Sequence, residues 1–269
     1  MKRIVQSLLG LTMALLLPSC LEFDTKITLN KDGSGTITEE LVFGPQMAGM
    51  INLAAAQGGE NPLTKMKDKE AAIKKASSFG KGVTFLKSED IKTKDGGVGV
   101  RLVYQFEDIN DVTMNPSGDL STLSDLQDGG DVMKNGPDTM ATFRYNEGRL
   151  VISLPQPDEN QSESSDTEAV DTPAEAEEMA QMAAQMMKGM KMSAHIEIPT
   201  GISKTTATHH QDNTITLFEM DMDEVMKNKG GLAALSKLEG KKPEELAEAL
   251  KDLKGVKGET QKEVVVILE

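Results

Sequence analysis

Six methionines crowd one short stretch: Met179, Met182, Met186, Met187, Met190 and Met192. Met179, Met182, Met186 and Met190 are spaced three, four and four apart, so on a helix they form a single stripe. Thioethers are soft donors that select Cu(I), and His195 follows closely. Met190, Met192 and His195 are therefore the candidates for a metal-buffering role. The same stripe also suits a hydrophobic core, because thioethers fill irregular gaps. Its third use is an adaptable surface for an apolar ligand, with Met179, Met182, Met186 and Met190 as the ligand-binding residues.

Other spacings carry weaker chemistry. Asn30, Asp32, Gly33 and Glu39 fall at positions 3, 5, 6 and 12 of a calcium loop, but Thr28 stands where the first carboxylate is needed. Strand-like residues flank the stretch, so it reads as a turn. Ser78-Phe79-Gly80-Lys81 fits S-x-x-K, with neither S-D-N nor K-T-G downstream. There is no G-x-S-x-G, no H-E-x-x-H and no phosphate-binding glycine loop. His195, His209 and His210 are the only histidines, and no carboxylate or cysteine is spaced to complete a zinc site with them. We expect no catalytic residues and no cofactor. A hydrolase with an unrecognised constellation is the alternative from a different class.

The elements that would position these residues alternate between strands and helices. Ile27 and Leu29, a Lys31-Asp32-Gly33-Ser34-Gly35 turn, then Ile37, Leu41 and Phe43 predict a hairpin. A short helix opened by Gly44-Pro45 is expected to run through Met47, Met50, Ile51 and Ala54 and to stop at Gly58-Gly59. A second, from Asn61 to Gly80, is expected to bury Leu63, Met66, Ile73 and Ala76. Val98, Val100, Leu102, Tyr104 and Phe106 alternate as the clearest strand. Residues 114–138 read as a long loop, and Phe143 to Leu154 as a third hairpin. Between Pro155 and Asp171 the composition shifts to Gln, Ser, Asp, Glu and Pro, too poor in apolar surface to offset its ordering entropy. Thr172-Pro173-Ala174-Glu175 then caps the methionine-rich helix. Ile196 and Ile198 resume a strand on which His195 points off the apolar face. Helices follow with Leu232, Leu235 and Leu238 on one face, then Leu246, Leu250 and Leu253 on another. The apolar run Val264 to Leu268 predicts a strand buried on both faces that returns to the sheet. The class is α+β: an antiparallel meander with helices packed on it and a long acidic linker in the middle.

The N-terminus carries the most specific signal. Lys2 and Arg3 precede an apolar run from Ile4 to Leu17. At about 1.5 Å per residue that run spans roughly 21 Å, short of the roughly 30 Å hydrocarbon core, so it is an export signal and not a membrane span. It ends in Leu17-Pro18-Ser19-Cys20, which resembles the bacterial lipobox. The resemblance implies a thioether-linked diacylglycerol on Cys20, cleavage before it and acylation, typically palmitate, of the new amine. Two or three acyl chains, at about 0.8 kcal/mol per buried methylene, make a permanent anchor. Leu21 follows where inner-membrane retention favours Asp, so the expected place is the outer membrane of a Gram-negative cell, facing the periplasm.

Cys20 is the only cysteine, so no disulfide forms within the chain. Removing residues 1–19, whose only charges are Lys2 and Arg3, takes the formal net charge from −14 to −16. Such a surface repels nucleic acid. Aromatic residues make up 3% with no Trp, which removes the stacking platforms of sugar and single-strand binders.

Cys20 with the following Ile27-Thr28-Leu29-Asn30-Lys31-Asp32-Gly33-Ser34-Gly35-Thr36-Ile37 resembles the opening of the LppM-type bacterial lipoproteins. Ile196-Glu197-Ile198-Pro199-Thr200-Gly201 and Asp212-Asn213-Thr214-Ile215-Thr216-Leu217 resemble that family's closing strands. The resemblance implies a curved sheet with helices and an envelope role handling lipid or glycolipid. The expected organisation is a signal over 1–19, an α+β domain over 20–154 and 191–227, the linker and methionine-rich helix over 155–190, and C-terminal helices with a closing strand over 228–269. The expected function is a non-catalytic binding or scaffolding domain on a lipid anchor. Its partners are the membrane and an apolar ligand or envelope protein, not nucleic acid.

Overall fold

Apolar and polar residues alternate from Leu21 onward, which lays down a strand with one face turned inward. The computed structural model describes residues 21–59, 61–116, 140–155, 187–228, 230–236 and 243–269. In it β1 (Leu21–Leu29) and β2 (Gly35–Phe43) pair antiparallel, from Leu21 opposite Phe43 to Leu29 opposite Gly35. Asp32 Oδ1 closes the turn by accepting from the backbone N–H of Ser34 at 3.0 Å and its hydroxyl at 2.6 Å.

Three helices follow: α1 (Pro45–Ala56), α2 (Pro62–Met66) and α3 (Lys69–Ala76). A second hairpin, β3 (Thr84–Lys92) and β4 (Val98–Phe106), joins the first through β4 against β2. The short β5 (Thr113–Met114) and the hairpin β6 (Ala141–Asn146) and β7 (Arg149–Ser153) begin another sheet. Then β8 (Met190–Glu197) returns to lie beside β1, in parallel. β9 (Ile202–Thr205), β10 (His210–Gln211) and β11 (Thr214–Asp221) lead into α4 (Met222–Lys227), α5 (Gly231–Ser236) and α6 (Pro243–Asp252). β12 (Val256–Gly258) and β13 (Glu263–Leu268) complete the chain.

The larger sheet has the order β10-β11-β8-β1-β2-β4-β3, with β12 also on β11; the smaller runs β5-β6-β7-β13-β9. The α+β class holds, with mostly antiparallel pairing. A single meander does not: there are two sheets, and β1 with β8 is a parallel pair. A parallel neighbour requires a crossover, and here it passes through the first helices and the smaller sheet. One buried apolar cluster spans both sheets, from Phe23 and Ile37 to Phe143, Ile196 and Val266.

The two ends of the larger sheet differ. At one end β1 starts, β2 stops, and α1 and α4 leave the sheet. At the other, the β1–β2 turn meets the smaller sheet. There Tyr145 donates its hydroxyl to the Lys31 carbonyl at 2.6 Å, and the Ile109 N–H donates to the Gly33 carbonyl at 2.9 Å.

Several sequence expectations change. The expected long second helix is two. Asp68 accepts from the Ala71 N–H at 2.8 Å and starts α3 afresh. The restart shifts the helical phase, so Ala72 and Ala76 are buried while Ile73 is 52% exposed. In α1 the buried residues are Ala48 and Ile51; Met47, Met50 and Ala54 lie outside the core. β13 was expected to be buried on both faces, but only Val264, Val266 and Leu268 are buried; Val265 and Ile267 are partly exposed. It is an interior strand of the smaller sheet, between β7 and β9. The linker composition and most of the 114–138 stretch lie outside the described residues.

Candidate functional site

Cys20 lies outside the described residues, but it is joined directly to Leu21, the first residue of β1. Met179, Met182 and Met186 also lie outside them. Met190 and Met192 do not continue a helix: Gly189, with φ 72°, breaks it, and Met190 opens β8. The stripe at spacing three, four and four therefore ends before Met190. Side chains alternate along a strand. Met190 and Met192 thus face the core at 8% and 4% exposure, and His195 projects from the opposite face. These three residues cannot converge on one ion, which corrects the copper grouping.

The other motif residues are engaged in ordinary structure. The calcium-like stretch is the β1–β2 turn, with Glu39 away from it in the middle of β2. Ser78 donates its hydroxyl to the Lys75 carbonyl at 2.7 Å, closing the end of α3. His210 opens the edge strand β10 and is exposed, and His209, just before it, is half-buried.

A cluster not visible in the sequence occupies the outer face of the larger sheet. Asp24 and Ser193 are partners across β1 and β8. The Ser193 hydroxyl donates to Asp24 Oδ1, and His195 Nε2 lies 3.0 Å from the same oxygen. Burial pushes the Asp24 carboxyl up. Hydrogen bonds from His195 and Ser193 and the charges of His195 and Lys26 outweigh that and hold it below the usual carboxylate range. The three residue types are those of a serine hydrolase, but the order differs. A nucleophile needs its hydroxyl on the imidazole; here the aspartate takes the middle place.

Asp24 and Ser193 belong to one row of cross-strand partners: Lys257, Glu219, Ser193, Asp24, Glu40, Arg101 and Glu89. Within it Arg101 Nε lies 2.6 Å from Glu40, Arg101 Nη1 lies 3.4 Å from Glu89, and Lys257 lies 3.0 Å from Glu219. Directly opposed opposite charges support a sheet by about 0.2–1 kcal/mol per pair.

On the inner face one carboxylate interrupts the core. Glu39 is 4% exposed, and its Oε2 lies 2.9 Å from Lys75 Nζ of α3. Thr25, buried at 2%, stands opposite Glu39 on β1. A cavity of about 10 Å³ touches Glu39, Lys75, Phe23, Leu41 and Met66. That is room for about one water and not for a ligand.

At the sheet end where β1 starts, α1 presents apolar residues outward. Met50 is 67% exposed, Leu53 61% and Met47 36%. They are three apart and so share one side of the helix. No charged residue occurs between Glu40 and Glu60.

No protein-family model matches the chain, and no curated protein matches it. Among solved structures it is similar to the folded domain of Mycobacterium tuberculosis LppM, determined by NMR. The identity is 10%, with 77% of this chain and 86% of that one covered, and the TM-score is 0.32. That is too loose a likeness to carry fold or function across.

Proposed function

We propose that the chain is a lipid-anchored protein of the bacterial envelope whose α+β domain binds or scaffolds without catalysis. The observation that carries this is the junction at Cys20: a lipobox-like sequence ends there, and β1 begins at the next residue. A domain joined so closely to its anchor rests against the membrane instead of swinging on a tether. The middle place of Asp24 between Ser193 and His195 supports a structural use of that cluster. Handling of lipid or glycolipid is the finer form of the reading, supported by the LppM-like motifs around Ile27–Ile37 and Ile196–Gly201.

Growth with a clickable palmitate analogue tests the anchor. Wild-type protein should carry the label and fractionate with membranes. Cys20→Ser should lose the label and accumulate with its signal attached. Label retained on the Ser variant would remove the basis of the proposal. Native mass spectrometry of protein extracted from its own membrane would show the acyl mass and any retained lipid together.

A further inference from the structure

The end of the larger sheet that begins at Leu21 also carries α1, and the two are held close by pairing. Leu21 is the cross-strand partner of Phe43, and Pro45 opens the helix two residues later. One peptide step of about 3.8 Å from Cys20, about 5 Å across the ladder and at most about 7 Å along the chain place the helix start within roughly 16 Å of Cys20. A helix of twelve residues is about 18 Å long, so the helix begins beside Cys20 and its far end lies at most roughly 34 Å from it.

The composition of α1 suits that neighbourhood. Its inner side is satisfied by Ala48 and Ile51, which join the core region. Its outer side offers Met47, Met50, Leu53 and Ala54, and its exposed polar residues, Gln46, Asn52 and Gln57, are all uncharged. In a chain with 27% charged residues, the run from Leu41 to Gly59 has none. A face meant for water in this acidic protein would carry Glu or Lys, as α4 does with Asp223, Glu224 and Lys227. Interfacial helices bury their apolar face roughly 5–10 Å into the headgroup and acyl boundary.

The geometry points to the Met47, Met50 and Leu53 face of α1 as a second membrane contact, seated in the lipid interface beside the anchored Cys20. The occupant is the bilayer itself. This inference rests on the anchoring reading. It adds that the domain has a fixed orientation, with α1 down and the β1–β2 turn and smaller sheet directed away from the membrane.

Site-directed spin labelling tests it on the full lipoprotein. The acylated Cys20 thiol is blocked, so Met50→Cys, Leu53→Cys and Glu107→Cys each supply a single reactive thiol. The proteins are reconstituted in phosphatidylethanolamine–phosphatidylglycerol vesicles, and collisions with oxygen and a water-soluble nickel chelate are compared. Glu107 is exposed just beyond β4, at the far end of the sheet. Labels at 50 and 53 should favour oxygen over the chelate several-fold more than the label at 107. Equal chelate access at all three sites in vesicle-bound, acylated protein overturns the membrane contact and leaves the anchor intact. Labels at 50 and 53 shielded from both probes mean that protein covers the face, which also overturns it. Absence of the acyl mass overturns the anchoring reading. The label pattern then decides α1 alone, because an adhering apolar face would still favour oxygen.

Discussion

Asp24 and Ser193 are separated by 169 positions in the chain, yet they face each other across β1 and β8 and share a hydrogen bond. With His195 they hold the Asp24 carboxylate in its charged form. A carboxyl with a lowered pKa in the folded state stabilises the fold above its unfolded pKa, near 3.9, and loses that contribution as pH falls through the folded value. Urea midpoints of wild type and Asp24→Asn should therefore differ at neutral pH and converge below about pH 4. A constant difference between the two proteins across that range would show that Asp24 carries no linkage.

Removing one partner of the Glu39–Lys75 pair leaves a buried charge unmatched. Lys75→Met should destabilise by about 3–5 kcal/mol. Glu39→Leu combined with Lys75→Met should restore wild-type stability or exceed it by about 1–4 kcal/mol. Chemical denaturation of both variants distinguishes this from a pair that matters little. If Lys75→Met costs nothing, the ion pair does not compensate Glu39 burial.

Met192 lies at 4% exposure among core residues of β8. Met192→Ala should cost about 2–5 kcal/mol and Met192→Leu less than about 1.5 kcal/mol. Neither Met192→Leu nor His195→Gln should alter Cu(I) affinity, measured by competition with a chromophoric chelator. A large loss of affinity in both would mean that the two residues do share an ion.

A chain cut between residues 155 and 171 should not fall apart. That stretch is polar and acidic, the composition that proteases reach first. The pairing of β8 with β1 and of β13 with β7 crosses the cut twice. The two fragments should co-elute on size exclusion in buffer and separate only in denaturant. Independent elution in buffer would indicate that the β1–β8 ladder does not hold the halves together.

Local patterns made the hairpins legible. Alternation in Ile27–Leu29 and Val98–Phe106, and the Asp-Gly and Asn-Glu-Gly turns, describe neighbours in the chain. The outward aspect of His195 followed from Ile196 and Ile198 in the same way. What strand order decides was not legible. The Asp24–Ser193 contact depends on which distant strand lies beside β1, and the Glu39–Lys75 contact on how α3 crosses β2. Ile73 of α3 was misplaced for a related reason. Periodicity finds an apolar side of a helix but does not say which of its residues the sheet receives. The restart at Asp68 also moved the phase of α3 by an amount that spacing alone does not reveal.

β1 has a hydrogen-bonded neighbour on each side, β2 and β8, along nearly its full length. It is also the strand that continues directly into Cys20. Tension transmitted through that residue would pull β1 lengthwise between its neighbours, loading both ladders in shear. Bonds loaded in shear must yield together, whereas an edge strand peels one bond at a time. Under the anchoring proposed above, the attachment point sits on an interior strand, and a tug from the bilayer would meet two ladders at once.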